Sequence, residues 1–213
     1  MTILLYSAQD YIRSTWIQFN MSFFDNTKIA GWGLFFIGIL MIISAILMIW
    51  DGATTEGDDR LANVVVGIGA LLAAFIYFGF GNKVRKGEIS AKIEVLAQFV
   101  KTVGLATIVS AFFAAIAGIW GVGISTWTNV VILIIGIIIV WIGGKIDDGK
   151  TTNFDKILWI ILVVIFLIEF ILKLAGAFGG DWINILSCIL MAIVYLYMLV
   201  FMFDGDVRKK MGM

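Results

Sequence analysis

Residues 130–150 read VVILIIGIIIVWIGGKIDDGK. From Val130 to Ile142 the run is apolar apart from Gly136, and a lysine and two aspartates follow at once. A bilayer core about 30 Å thick takes roughly twenty apolar residues of helix. With Trp127 and its neighbours, Ile124 to Gly144 is long enough. A barrel strand would alternate polar and apolar side chains, and this run does not. In lipid every backbone N–H and C=O must bond within the segment, so the run predicts a transmembrane helix.

Five more runs of the same kind lie on either side. They are Gly31 to Trp50, Leu61 to Phe80, about Ala97 to Trp120, Ile157 to about Phe178, and Trp182 to Phe203. The expected fold is all-α: a polytopic membrane protein of six transmembrane helices, arranged as three consecutive helical hairpins. The implied organisation is an N-terminal segment 1–30, a six-helix domain 31–203 and a basic tail 204–213.

The charges are sorted between the runs. Arg13, Lys28, Lys83, Arg85, Lys86, Lys92, Lys145, Lys150, Lys156, Arg208, Lys209 and Lys210 fall on one side, twelve of the fifteen basic residues. Arg60 falls on the other side, beside Asp51, Glu56, Asp58, Asp59 and Asp181. Lys101 and Lys173 lie within spans. Basic residues are retained in the cytosol during insertion, so both termini are expected there. Tryptophan placement agrees. Trp32, Trp141 and Trp159 stand near the expected inner ends, and Trp50, Trp120, Trp127 and Trp182 near the outer ones. Indole settles at the headgroup boundary.

Residues 7–24 place Ala8, Ile12, Trp16, Phe19 and Phe23 at helical spacing, with Ser7 as a cap and Asp10 three positions on. This predicts an amphipathic N-terminal helix, lying in the interface or packed on neighbouring protein. Met1 to Gln9 has no basic segment of the secretory type, so the start is expected to be retained. These features fit a prokaryotic plasma membrane.

Composition removes several classes. The chain is 62% hydrophobic, with zero net charge, no histidine and one cysteine, Cys188; its mean hydropathy is +1.05. Imidazole chemistry and intrachain disulfides are excluded. No cofactor or metal and no nucleic-acid partner is expected. Proline is absent, so any break in a span must come from glycine, and regular helices are expected. No paired catalytic carboxylates or nucleophile elbow occurs, so an enzyme is not expected. Gly79, Gly81 and Gly87 lack the strand of a dinucleotide fingerprint. Gly143-Gly144 reads as a helix stop. The segment Asp51 to Asp59 lacks the spacing of a calcium loop and reads as a solvated acidic turn.

Lys83-Val84-Arg85-Lys86, Lys145-Ile146-Asp147-Asp148 and Asp206-Val207-Arg208-Lys209 follow the even spans at steps of 62 and 61 residues. Asn63, Asn129 and Asn184 stand near the outer starts of those spans. Tandem duplication of a hairpin would give this pattern, and so would any six-span chain with basic stop signals.

Two features could carry function. Glu169 lies about twelve residues into span five, roughly 18 Å from the inner boundary. A carboxylate at that depth is costly and needs a partner or water. Lys173 follows at i+4, the favourable order for an ion pair. The pair is either self-neutralising or a protonatable, cation-binding site. Ala106, Ser110, Ala114 and Gly118 repeat at a four-residue step in span three, giving either a flat packing face or a small-residue pore lining. Glu94, Gln98 and Lys101 share one face at the start of that span, beside an apolar side made by Ile93, Leu96 and Phe99.

The hairpin Gly33 to Trp50 and Asn63 to Gly81, glycine-spaced and apolar, loosely resembles bacterial acid-resistance membrane proteins of six spans. The basic loops and absent prolines depart from that pattern, and no function is carried over. The expected role is a non-catalytic subunit or interaction protein of a membrane assembly, as a homo-oligomer or with partner subunits. The alternative is a small channel or transporter using Glu169, Lys173, Thr107, Ser110 and the three asparagines.

Overall fold

A computed structural model describes residues 26–54, 59–119, 125–180 and 182–213. Among them every regular element is helical. The elements are α1 (Thr27–Thr54), α2 (Asp59–Lys86), α3 (Lys92–Gly118), α4 (Thr126–Ile146), α5 (Asn153–Gly176), α6 (Trp182–Met202) and α7 (Gly205–Lys210). The first six are long and apolar enough to cross a membrane. The amphipathic segment 7–24 and the middle of the acidic loop, 55–58, lie outside the described residues.

The helices outrun the apolar runs. α2 continues six residues past Phe80 to Lys86, and α3 starts at Lys92, five before Ala97. Local chemistry sets these ends. α2 stops at Gly87, whose φ is +79°. Its N–H donates to Val84 O, and the Glu88 N–H donates to Lys83 O. These two bonds make a Schellman cap, which a residue without Cβ adopts at no steric cost. α4 begins at the Ser125 cap, whose hydroxyl accepts from the Thr128 N–H. α5 begins in a capping box, with Asp155 accepting from both the N–H and the hydroxyl of Thr152. The Gly143-Gly144 stop is overturned: α4 runs on to Ile146. Gly143 is instead a packing position, where a Cβ would come 2.8 Å from Lys101 N and 3.0 Å from Ala97 O.

Within the pairs α1–α2, α3–α4 and α5–α6 the helices lie against one another, and in the first two glycine sets how closely. Along α1 and α2, Gly31 meets Arg85, Gly38 meets Phe78, Gly52 meets Asn63 and Gly81 meets Phe35. One number rises as the other falls, so the two run antiparallel. On α1 the small residues are Gly31, Gly38, Ala45 and Gly52, each buried and each seven apart. On α2 they are Gly67, Ala74 and Gly81, also seven apart. The second pair repeats the device, with Ala97, Gly104 and Ala111 on α3 and Gly136 and Gly143 on α4. A seven-residue step keeps one seam of a helix facing its neighbour. Small side chains on that seam let the backbones touch, and dispersion holds them in a medium without a hydrophobic drive. α5 and α6 carry bulkier seams: Leu158, Leu162 and Phe166 against Ala192, Tyr195 and Met198.

α2 also packs on α3, and α6 on α1. The largest fully buried side chains include Leu34, Val84, Leu96, Phe99, Leu158, Tyr197, Phe201 and Met211. Nearly all belong to the helix ends that gather the basic residues. At that end Lys92 pairs with Asp204, and the Thr151 hydroxyl donates to Lys210 O at 3.2 Å. Trp141 and Phe154 bring α4 and α5 together there, with ring centres 5.9 Å apart. The basic tail, residues 204–213, includes α7 and buries Val207 and Met211 in the core. It closes on a second Schellman cap at Gly212.

Large exposed side chains are apolar along the helix bodies, including Ile135, Ile138, Val164, Ile168 and Leu172. Water would not tolerate so continuous an apolar surface. Trp50, Trp127 and Trp182 point outward at one end, and Trp32 and Trp141 at the other. Trp159 turns inward instead, and its Nε1 donates to Met202 O at 2.7 Å, satisfying a carbonyl at the end of α6.

Candidate functional site

Glu169 projects from α5 into a cavity of about 150 Å³. α3 contributes Phe99, Val100 and Val103 to its wall, α4 Ile139 and Ile142, α5 Leu162, Ile165 and Phe166, and α6 Tyr195. Phe99, Phe166 and Tyr195 form an aromatic cluster, with centre-to-centre distances of 5.6 to 6.3 Å. Tyr77 of α2 is buried and, with Tyr195, lies within electrostatic range of Glu169. The surroundings are therefore apolar, aromatic and hydroxylated.

Lys173 does not line this cavity. Among the described residues, ion pairs join Lys92 to Asp204 and Lys145 to Asp148, and none joins Glu169 to Lys173. The two share a helix face, yet their heads are not brought together.

The small-residue face of span three divides. Ala106, Ser110 and Ala114 line a groove of about 430 Å³ with Ala70, Ala73 and Tyr77 of α2. Gly104 meets Gly136 and Val140 of α4, and Ala97 meets Gly143, while Ala111 lines the groove as well. Gly118 sits half-buried at the end of α3. The Thr107 hydroxyl donates to Val103 O at 2.8 Å, within its own helix. Asn129 borders the groove while its Nδ2 donates to Ser125 O. Asn184 Nδ2 donates likewise to Gly179 O. Asn63 stands against Gly52.

Glu94, Gln98 and Lys101 also separate. Glu94 and Gln98 line a polar groove with Lys83, Glu88 and Thr102. Lys101 lays its stem over Gly143, where its Cγ comes 2.6 Å from the position of an added Cβ. An aliphatic stem over apolar surface with its ammonium reaching outward is the usual compromise for a lysine within a span.

At the basic end, burial pushes the Asp204 carboxyl up. Hydrogen bonds from the Lys92 ammonium and the Asp206 and Val207 N–H groups outweigh it and hold the group below its ordinary value. The Asp148 carboxyl at the surface is also lowered, first by the Lys150 N–H and then by Lys145. Both act at helix ends rather than on a ligand. Among the described residues no cluster of acidic side chains and cysteine could hold a metal.

The sequence reading located Glu169 but missed Tyr77, Tyr195, Phe99 and Phe166 around it. A tyrosine inside an otherwise apolar span was a usable signal, because its hydroxyl needs a partner when buried.

The fold defines a class: a multi-pass, all-helical protein whose six long helices point to an integral membrane protein. No family model matches the chain, and neither does any curated protein or solved structure.

Proposed function

We propose that this protein is a non-catalytic component of a membrane assembly, built from three consecutive hairpins with both termini in the cytosol. The observation that supports this reading is the outer surface of α4 and α5. Of the most apolar stretch of each, 17% is buried, against 39% for α6. Apart from Trp141 and Phe154 the two helices present a broad isoleucine, leucine and valine surface outward. Partner helices, in a second copy or another subunit, would cover it. The basic end gathers Lys28, Lys92, Lys156 and Lys210, which supports a cytosolic placement.

Photo-crosslinkers at Ile135, Ile138 and Ile161, with Leu72 and Phe75 of α2 as controls, test this in native membrane. The reading expects discrete protein products from α4 and α5 and few from α2. Product mass separates a second copy from another chain. Lipid adducts alone from every position would refute it. Orientation is tested with Cys188→Ser, Lys210→Cys: an impermeant thiol reagent should label it after the membrane is opened and not before.

A second reading, a small channel or transporter, is supported by Glu169 in its cavity and by the small-residue groove along Ala106, Ser110 and Ala114. Glu169→Gln would then abolish ion or solute flux in reconstituted vesicles. A purely assembling protein would lose subunit association or stability instead.

A further inference from the structure

We infer that the cavity at Glu169 is a binding site for a small lipophilic organic cation, reached sideways from the membrane between α4 and α5. Four observations converge. The volume, about 150 Å³, is the size of a cavity that accepts one benzene-sized molecule. The lining supplies three aromatic rings, from Phe99, Phe166 and Tyr195, and ring faces attract organic cations. Glu169 is the one carboxylic acid in that lining, and among the described residues no ion pair reaches it. The rim includes Ile165, which is 44% exposed, so the route in crosses apolar surface that an oily ligand tolerates and a hydrated ion does not.

These features discriminate among ligands. A calcium ion takes six to eight oxygen ligands, and magnesium holds several waters. One carboxylate among phenyl and isoleucine side chains offers neither. An anion would meet Glu169 head on. A neutral hydrocarbon would fill the space and leave the carboxylate uncompensated in apolar surroundings. A cation with an aromatic or alkyl body satisfies both the charge and the walls. Lys173 stands one helical turn further along α5 and outside the lining, and the volume favours ligands no longer than a single ring. The inference does not rest on the assembly reading, but its route needs Ile165 facing lipid, so a partner on α4 and α5 must leave the gap between them open.

The probe is N-methylpyridinium, a single-ring organic cation, with toluene as its uncharged isostere. Binding to the purified full chain in nanodiscs is measured by equilibrium dialysis against empty nanodiscs. Saturable binding of the cation is expected, at least ten-fold tighter than that of the isostere. Glu169→Gln should weaken the cation at least ten-fold and leave the isostere within about two-fold. Ile139→Trp, which fills the cavity from α4 and leaves Glu169 in place, should abolish both. This second variant covers the case in which Glu169→Gln fails to fold. Equal uptake of cation and isostere would show partition into lipid and overturn the proposal. So would cation binding that survives both substitutions.

Discussion

Gly38→Ala adds one carbon where α1 and α2 approach closely, and the cost follows from the geometry. The new Cβ would lie 2.6 Å from Phe78 Cα and 2.7 Å from Phe78 N. Non-bonded carbons settle at about 3.5–4.0 Å. Relief therefore needs a displacement of about 0.9 Å or more. Both clashing atoms are backbone, so no change of rotamer supplies it, and the helices must part. A gap of about 0.5–1 Å forfeits a quarter to a half of each contact's attraction. In lipid that attraction is the main force between the helices. Overpacking of this kind costs about 1–3 kcal/mol. Gly79 on α2 is the internal control, because a Cβ there meets nothing within 4 Å. Gly79→Ala removes the backbone-entropy penalty of a mid-helix glycine and should stabilise by about 0.5–1 kcal/mol. One chemical change on two paired helices should therefore shift stability in opposite directions. Unfolding in mixed micelles of rising dodecyl sulfate fraction, followed by tryptophan fluorescence, measures both. Two shifts of the same sign, or a Gly38→Ala protein matching the parent, would refute the close-packed seam.

Three further outcomes follow from the same structure. Gly104 and Gly136 face each other reciprocally: a Cβ on the first comes 2.9 Å from Gly136 O, and one on the second 3.1 Å from Gly104 O. Once either substitution parts α3 from α4, the other finds room, so the double alanine variant should cost less than the sum by about 0.5–3 kcal/mol; strict additivity in the same micelle assay would count against a shared seam. Asp204 both caps α7 and pairs with Lys92, so Asp204→Ala should loosen α7 by about 1–2 kcal/mol, seen as greater mobility of a spin label at Lys210→Cys. The lowered carboxyl makes this docking fully present above the group's ordinary value and lost as pH falls through the depressed one; mobility unchanged on acidification would contradict the pairing. Trp159→Phe removes the 2.7 Å bond to Met202 O and should lower stability by about 0.5–1.5 kcal/mol, with no loss if that carbonyl finds water.

The six spans and the sorting of charge were legible because lipid imposes a length and a polarity that composition must obey. Helix ends were less so. Thr152 and Asp155 carry the spacing of a capping box, yet the apolar run begins only at Ile157, and hydropathy alone placed the start there. The Gly143-Gly144 misreading has a related cause. Glycine ends a helix when its backbone turns to positive φ, as Gly87 and Gly212 do, but inside a membrane it serves equally for contact. Gly143, with Gly136 seven residues before it, is such a contact position, while Gly144 stays helical and a Cβ there would meet nothing within 4 Å. The strict four-residue face at Ala106, Ser110 and Ala114 drew attention from the seven-residue seam beside it, and the latter makes the contact with α4. Lys173 follows Glu169 at ideal pairing distance along the chain, but spacing fixes only the shared face and not the rotamers.

The seams also account for where the cavity lies. Two pairs, α1 with α2 and α3 with α4, are drawn together by glycine and alanine at seven-residue steps. They share that pattern closely: 31, 38, 45 and 52 on α1 stand 66 residues before 97, 104, 111 and 118 on α3. Ala74 and Gly81 on α2 stand 62 before Gly136 and Gly143 on α4, the same step that separates the basic stop signals. Two hairpins differing by four residues in the connecting segment would produce both offsets, so duplication is argued most strongly for this half of the chain. The third pair lacks the device. Large side chains, Leu158, Leu162 and Phe166, stand at its seam, and the capping box, Trp159 and the contact of Phe154 with Trp141 tie α5 at the basic end. Large side chains at this seam leave room between α5 and its neighbours, and the hollow there is lined by Phe99, Phe166 and Tyr195. Glu169 stands in that hollow, among aromatic and aliphatic side chains.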